Sequence, residues 1–238
     1  LTALSCEHFE ERGSGLDPTL FLRFLTPPRF WYKSKVAIPD RRNCVGNKEI
    51  GMIKTFGENV EKFAGKTVRA KVMSGSERIT PKTSAAELAA WMKGATDRMD
   101  KLVSREKRAE IRRACGRACA VSNRRMLEGA KAKRKKFPSL EKYLESEMRK
   151  PLAGTRLKKD GNVLYWFFTP RSFSPRMTCF CVLMRGLPGD EMVSPTYCLC
   201  SRGFVEEYWK NVLGKPVKVG LLGSCLTGSQ ECKFAISF

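Results

Sequence analysis

The sequence predicts an α+β protein, a helical N-terminal part followed by an antiparallel sheet with a crossing helix. Three observations predict it. Apolar residues recur at helical spacing through much of residues 48–120, the pattern changes after Gly161 to short apolar runs bounded by Pro and Gly, and the chain closes on a hairpin around Thr227-Gly228-Ser229. Helices first and strands last is the order of an α+β domain rather than of repeated βαβ units. No internal repeat of roughly 20 to 50 residues is visible.

Residues 1–45 read as an irregular N-terminal arm, rich in Pro, Phe and Arg, with an aromatic cluster from Thr26 to Tyr32. From Lys48 to Phe63, Ile50, Ile53, Phe56, Val60 and Phe63 share one face of an amphipathic helix that Gly65 would end. Thr67 to Met73 reads as a short extended piece. Ser84-Ala-Ala-Glu87 is a capping box, opening a helix that carries Leu88, Trp91 and Met92. A further helix is expected from Lys101 to Ala120, with Ile111, Cys115 and Ala118 or Cys119 on its apolar face. A basic run follows, Lys131 to Lys136, and Pro138-Ser139 starts one more helix to Arg149. Residues 46–160 thus form a basic helical region.

Residues 161–238 form a cysteine-rich antiparallel αβ unit, expected to pack with 46–160 as one domain. Val163 to Phe168 and Met177 to Met184 have the look of buried strands. Ser201 can cap a helix ending near Gly214, and Lys215 to Leu222 with Glu231 to Phe238 make the closing hairpin.

The formal charge of the 238 residues is +21. From Gly161 onward there are 8 Lys/Arg against 5 Asp/Glu, so about +18 belongs to the first two thirds. Arg105 to Lys136 alone holds 13 basic residues against 3 acids, a density that suits phosphate. Base-stacking aromatics are not interleaved there, so nucleic acid is an allowed partner and not the favoured one. No apolar stretch approaches a membrane span of roughly eighteen residues, and no membrane partner is expected. No charged-then-apolar leader opens the sequence, although the first residue is Leu and a segment ahead of it stays open.

Ten cysteines in a chain able to build its own core point to reduced thiols and a cytoplasmic setting. Cys179 and Cys181 would share a strand face, as would Cys198 and Cys200 if extended. Cys115 and Cys119 lie one helical turn apart. Each pair could share a metal ion, and with His8 the only histidine such a site would rest on thiolates. Core packing is the commoner role for Cys115, Cys119, Cys179 and Cys181, because free cysteine behaves as a small hydrophobe. The balance is closer for Cys198, Cys200, Cys225 and Cys232.

The segment Tyr197 to Ile236 resembles the C-terminal half of 4-vinyl-reductase-type domains, small-molecule-binding modules that also serve as sensory domains in bacterial regulators. Cys198, Gly203-Phe204, Leu213-Gly214, Cys225 and Cys232 stand at the family's marker positions. In the regulator members three cysteines and an acidic residue three before the second cysteine hold zinc. Leu222 occupies that acidic position here, which leaves two outcomes: Cys200 completes a Cys198, Cys200, Cys225 and Cys232 zinc clip, or the metal is lost and the scaffold kept. The chain is also similar to a set of uncharacterised bacterial proteins, through Cys115-Gly116-Arg117-Ala118-Cys119 and Tyr197 to Ser201.

The resemblance implies a pocket between the C-terminal sheet and the preceding helices for a small hydrophobic or aromatic ligand. Its candidate lining is Tyr165, Trp166, Phe167, Phe180, Tyr208, Cys115 and Cys119, with ordinary core filling the blander role for each. A homodimer is compatible with the sequence. No nucleophile elbow, phosphate loop, dinucleotide fingerprint or metalloprotease helix is present. A thiol enzyme acting on a small molecule in the same pocket would need Cys198 or Cys200 lowered in pKa at the start of the Ser201 helix.

Overall fold

The structure is a computed structural model that describes residues 46–173 and 178–238. The arm over residues 1–45, with His8 and the aromatic cluster, lies outside the described residues, as does Met177. The described residues belong to one compact unit, Arg42–Phe238.

Five helices open the fold: α1 (Asn47–Ala64), α2 (Lys66–Val72), α3 (Ala85–Leu102), α4 (Arg105–Ser122) and α5 (Arg124–Arg134). α1 buries Ile53, Phe56, Gly57 and Val60, the stripe that its apolar spacing sets out. α3 starts at the capping box, where Ser84 Oγ accepts from the Glu87 N–H at 3.2 Å and Glu87 accepts from the Ser84 N–H at 2.8 Å. Its other end runs through Leu102, and Ser104 then caps α4. The helix predicted from Lys101 therefore begins four residues later, at Arg105, directly after the first side chain able to satisfy its free N–H groups. α6 (Leu140–Arg149) follows, capped by Ser139 as predicted.

Two expected strands are absent. Residues 66–72 form α2, which docks through the buried Val72 and, one turn earlier on the same face, the partly buried Val68. Residues 178–184 hold no strand but an irregular segment and a short 3-10 turn, Val182–Met184, whose Leu183 and Met184 insert into the helical core. An unexpected strand, β1 (Thr155–Asp160), lies inside the region predicted to be helical. It is an edge strand burying only Leu157, so it carries almost no apolar pattern.

β1, β2 (Val163–Phe168), β3 (Lys218–Gly223) and β4 (Cys232–Ser237) form one antiparallel sheet in the order β1-β2-β4-β3. The register aligns Leu157, Trp166, Phe234 and Leu221, and beside them Leu164, Ile236 and Val219, on one face. That face packs with Val205, Trp209 and Val212 of α8 (Pro195–Leu213). A short helix, α7 (Pro170–Phe173), follows β2.

α8 is the spine of the unit. Its first half joins the core built by α1, α3 and α4, and its second half joins the core built by the sheet and α6. Burying side chains such as Trp209 and Phe234 contributes about 2 to 3 kcal/mol each. Ser194 Oγ accepts from the Thr196 N–H, Pro195 occupies the first turn, and Gly214 ends the helix with φ +70°. The cap thus lies seven residues before the predicted Ser201 cap, and Cys198 and Cys200 are helical rather than extended. α4 crosses α8 backbone to backbone. A Cβ at Gly116 would lie 1.8 Å from the Cys200 carbonyl oxygen, and one at Gly203 would lie 2.1 Å from that of Arg113.

Candidate functional site, a thiol cluster around a buried arginine

Eight cysteines are described, all free and none fully exposed. They gather along α8 and fall into two groups because of where Cys198 and Cys200 stand. Residues two apart on a helix point about 200° apart, so these two leave the helix on opposite sides. Cys200 faces α4, where its neighbours are Arg112, Cys115 and Cys119, and it also lies near Cys181 of the irregular segment. Cys198 faces the β3–β4 turn, sharing a 2.8 Å hydrogen bond with Ser224 Oγ and lying near Cys232.

Arg112 is the centre of the first group. It is 2% exposed, yet no carboxylate pairs with it among the described residues. Its Nε and Nη2 donate to the Tyr197 carbonyl oxygen at 3.3 and 3.1 Å. The guanidinium lies 4.2 Å from the centre of the Tyr197 ring and 5.2 Å from that of Phe56, within cation–π range. The Tyr197 hydroxyl in turn shares a hydrogen bond with Cys181 Sγ at 3.1 Å. Cys119 accepts from Asn123 Nδ2 through its carbonyl at 2.7 Å.

The second group holds Cys179, Cys198, Cys225 and Cys232. Cys179 Sγ accepts from the Cys181 N–H at 3.3 Å, which ties the two groups together through one short segment. Cys232 Sγ accepts from the Cys225 N–H at 3.4 Å, and the Cys225 thiol donates to the Gln230 carbonyl oxygen at 3.5 Å.

Burial decides most of the thiol chemistry. It pushes Cys115, Cys119, Cys179 and Cys200 above the usual thiol range, although Arg112 opposes it at Cys115 and Cys200. Cys198 is pushed up to about 11, again chiefly by burial. Desolvation thus works against the lowered pKa that a nucleophile at Cys198 or Cys200 would need. Cys232 goes the other way. The Cys225 thiol and backbone N–H, with the Ser224 hydroxyl, hold it down to about 7 against its own burial.

The zinc clip does not assemble from the predicted ligands. Cys200 is turned away from Cys198, Cys225 and Cys232, and Leu222, at the acidic position of the resemblance, is 56% exposed. Among the described residues no group of three or more His, Cys, Asp or Glu is placed to hold a metal ion. The side chains as they stand do not fit the metal.

The predicted pocket residues are divided in the same way. Trp166 and Tyr208 meet at 4.8 Å between ring centres, and Trp166, Phe168 and Phe180 continue the aromatic contact at 4.6 and 6.1 Å. Strand alternation puts Tyr165 and Phe167 on the opposite face of β2, where Lys233 lies over both rings and Arg156 stands 3.7 Å from the Phe167 centre. Cys115 and Cys119 belong to the Arg112 group. A shallow recess lined by Ser146, Arg149 and Lys150 shares no residue with any of these.

Part of the basic surface is engaged within the fold. Arg113, Arg117 and Arg202 all pair with Glu206, at 2.8, 3.6 and 3.4 Å, and Lys133 pairs with Glu147. Arg112 was not singled out from sequence, although it stands three and seven residues before Cys115 and Cys119 and so shares their helical face. Tyr197 and Ser224 carry no such local signal, since their partners are distant in the chain.

Fold and site together define an α+β protein organised on a thiol cluster, with a buried guanidinium at its centre. The chain belongs to a family of unknown function, DUF6144, whose model matches residues 48–238. Comparisons with curated proteins and with solved structures found no match. Among the described residues no helix is long and apolar enough to cross a membrane.

Proposed function

We propose that the protein is a small-molecule-binding or sensory protein, of the kind its C-terminal resemblance to 4-vinyl-reductase-type domains implies, and that Arg112 is the polar anchor of its ligand. The observation that carries this reading is the guanidinium itself, buried, with a carbonyl oxygen and two aromatic rings as its contacts, the Cys115 and Cys200 thiols near it, and no carboxylate among the described residues. Removing an ion from water costs several kcal/mol, and none of these partners returns a full opposite charge. Buried charges kept at such a cost cluster at functional sites. A ligand with an acidic group supplies the missing charge, and the rings of Phe56 and Tyr197 beside it suit an aromatic body. The ligand class is therefore a small aromatic or hydrophobic acid.

Thermal-shift measurements with paired probes test this. Benzoate and 4-hydroxybenzoate should raise the melting temperature of the wild type, whereas benzamide and 4-hydroxybenzamide should not. Equal shifts from acid and amide, or the same preference in Arg112→Gln, would remove Arg112 as the anchor.

A further inference from the structure

We propose that Cys225 and Cys232 form a reversible disulfide, a redox-responsive modification site at the β3–β4 turn. This does not depend on ligand binding at Arg112.

The geometry is set by one short loop. Cys225 opens a 3-10 turn, Cys225–Thr227, and Cys232 opens β4. Gly228, at φ +95°, reverses the chain between them, a backbone conformation that favours glycine. The loop closes with the Cys225 N–H on Cys232 Sγ at 3.4 Å, which places the two cysteines side by side. The Cys225 thiol also reaches the Gln230 carbonyl oxygen at 3.5 Å, in an exposed contact, so an oxidant or a second thiol can approach it.

Within the pair, Cys232 differs in chemistry from the buried thiols, whereas the Cys225 thiol is pushed up by Cys232 and by burial. Cys115, Cys119, Cys179, Cys198 and Cys200 are held as neutral thiols by burial. Cys232 Sγ accepts the Cys225 N–H, a bond that favours the thiolate, and the thiolate is the form that attacks. No metal-holding set claims either sulfur among the described residues.

With a peroxide as oxidant, the Cys232 thiolate attacks one peroxide oxygen. An S–O bond forms, the O–O bond breaks, and hydroxide leaves. The Cys225 sulfur then attacks the Cys232 sulfenic sulfur. The S–S bond forms, the S–O bond breaks, and the departing oxygen takes the Cys225 proton as water. Two thiols lose two electrons and one peroxide is reduced. A thiol reductant reverses the step by attacking Cys225, the more open sulfur.

The test uses the purified full chain. It is reduced, exposed to hydrogen peroxide, alkylated and digested with trypsin. The tryptic peptide spanning residues 219–233 contains Cys225 and Cys232 and no other cysteine. That peptide should lose both alkylation sites and become about 2 Da lighter than its reduced form. Dithiothreitol should restore it. Cys225→Ser should stop at a sulfenic acid on Cys232 that dimedone traps, and Cys200→Ser should behave as the wild type. The proposal is overturned if the peptide stays alkylatable while other thiols oxidise, or if either cysteine pairs with Cys179 or Cys198. It is also overturned if the purified chain holds stoichiometric zinc that blocks both thiols. The wild-type peptide map decides even if a variant fails to fold.

Discussion

Gly116 of α4 and Gly203 of α8 let two helices meet without side chains between them. The added methyl of an alanine would stand 1.8 Å from the Cys200 carbonyl oxygen at Gly116 and 2.1 Å from the Arg113 carbonyl oxygen at Gly203. This contact holds Arg112 against Tyr197 and sets Cys115 beside Cys200.

Gly203→Ala should destabilise the protein even though alanine is the better helix former by about 1 kcal/mol. Overpacking against rigid backbone should outweigh that gain, for a net loss of about 2 kcal/mol or more in urea unfolding. A stabilised variant would mean the helices do not cross at this glycine.

Glu206→Gln should cost about 2 kcal/mol, because it leaves Arg113, Arg117 and Arg202 facing one another around a neutral amide. The three guanidiniums are partly exposed, which keeps the loss below that of a dry ion pair. Added salt should recover part of it, and a deficit indifferent to salt would point to packing instead.

Thiol reactivity should be ordered by position. At pH 7 limited alkylation followed by peptide mapping should label Cys232 well before Cys198, whose pKa is about 11 against about 7 for Cys232. Stability carries the same signs. Cys198, raised, contributes stability that is full below the ordinary thiol range near 9 and lost as pH climbs through about 11. Cys232, depressed, contributes stability that is present above 9 and lost as pH falls through about 7. Equal labelling of Cys198 and Cys232 at pH 7 would contradict the arrangement.

Leu222→Glu should change stability by no more than about 0.5 kcal/mol, since the side chain is exposed on β3. It should also fail to confer zinc binding, because the residue is turned outward from Cys225 and Cys232. Stoichiometric zinc in that variant, read by elemental analysis, would show that the β3 register is different.

Much of the fold was legible in the sequence because its signals are local. The Ser84 and Ser139 caps, the α1 stripe and the closing hairpin each follow from a few neighbouring residues. Gly116 and Gly203 were visible as spaced markers, but their reason, a helix crossing, needs both partners at once. α2 and β1 differ from expectation because each carries only one fully buried side chain, Val72 or Leu157, and so little apolar pattern. The site was less legible. Cys198 and Cys200 look like a shared pair at strand spacing, and placing them in a helix separates them. Their new neighbours, Ser224 for one and Arg112 for the other, are set by tertiary contact alone.

The central claim is that the Arg112 guanidinium receives an acidic ligand, and arginine side-chain NMR reads that group directly. In the ¹⁵N-labelled protein, the Nε–H resonance assigned to Arg112 through Arg112→Lys should shift on adding 4-hydroxybenzoate and stay in place with 4-hydroxybenzamide. An Arg112 resonance unmoved by saturating acid, or moved equally by the amide, would contradict the account.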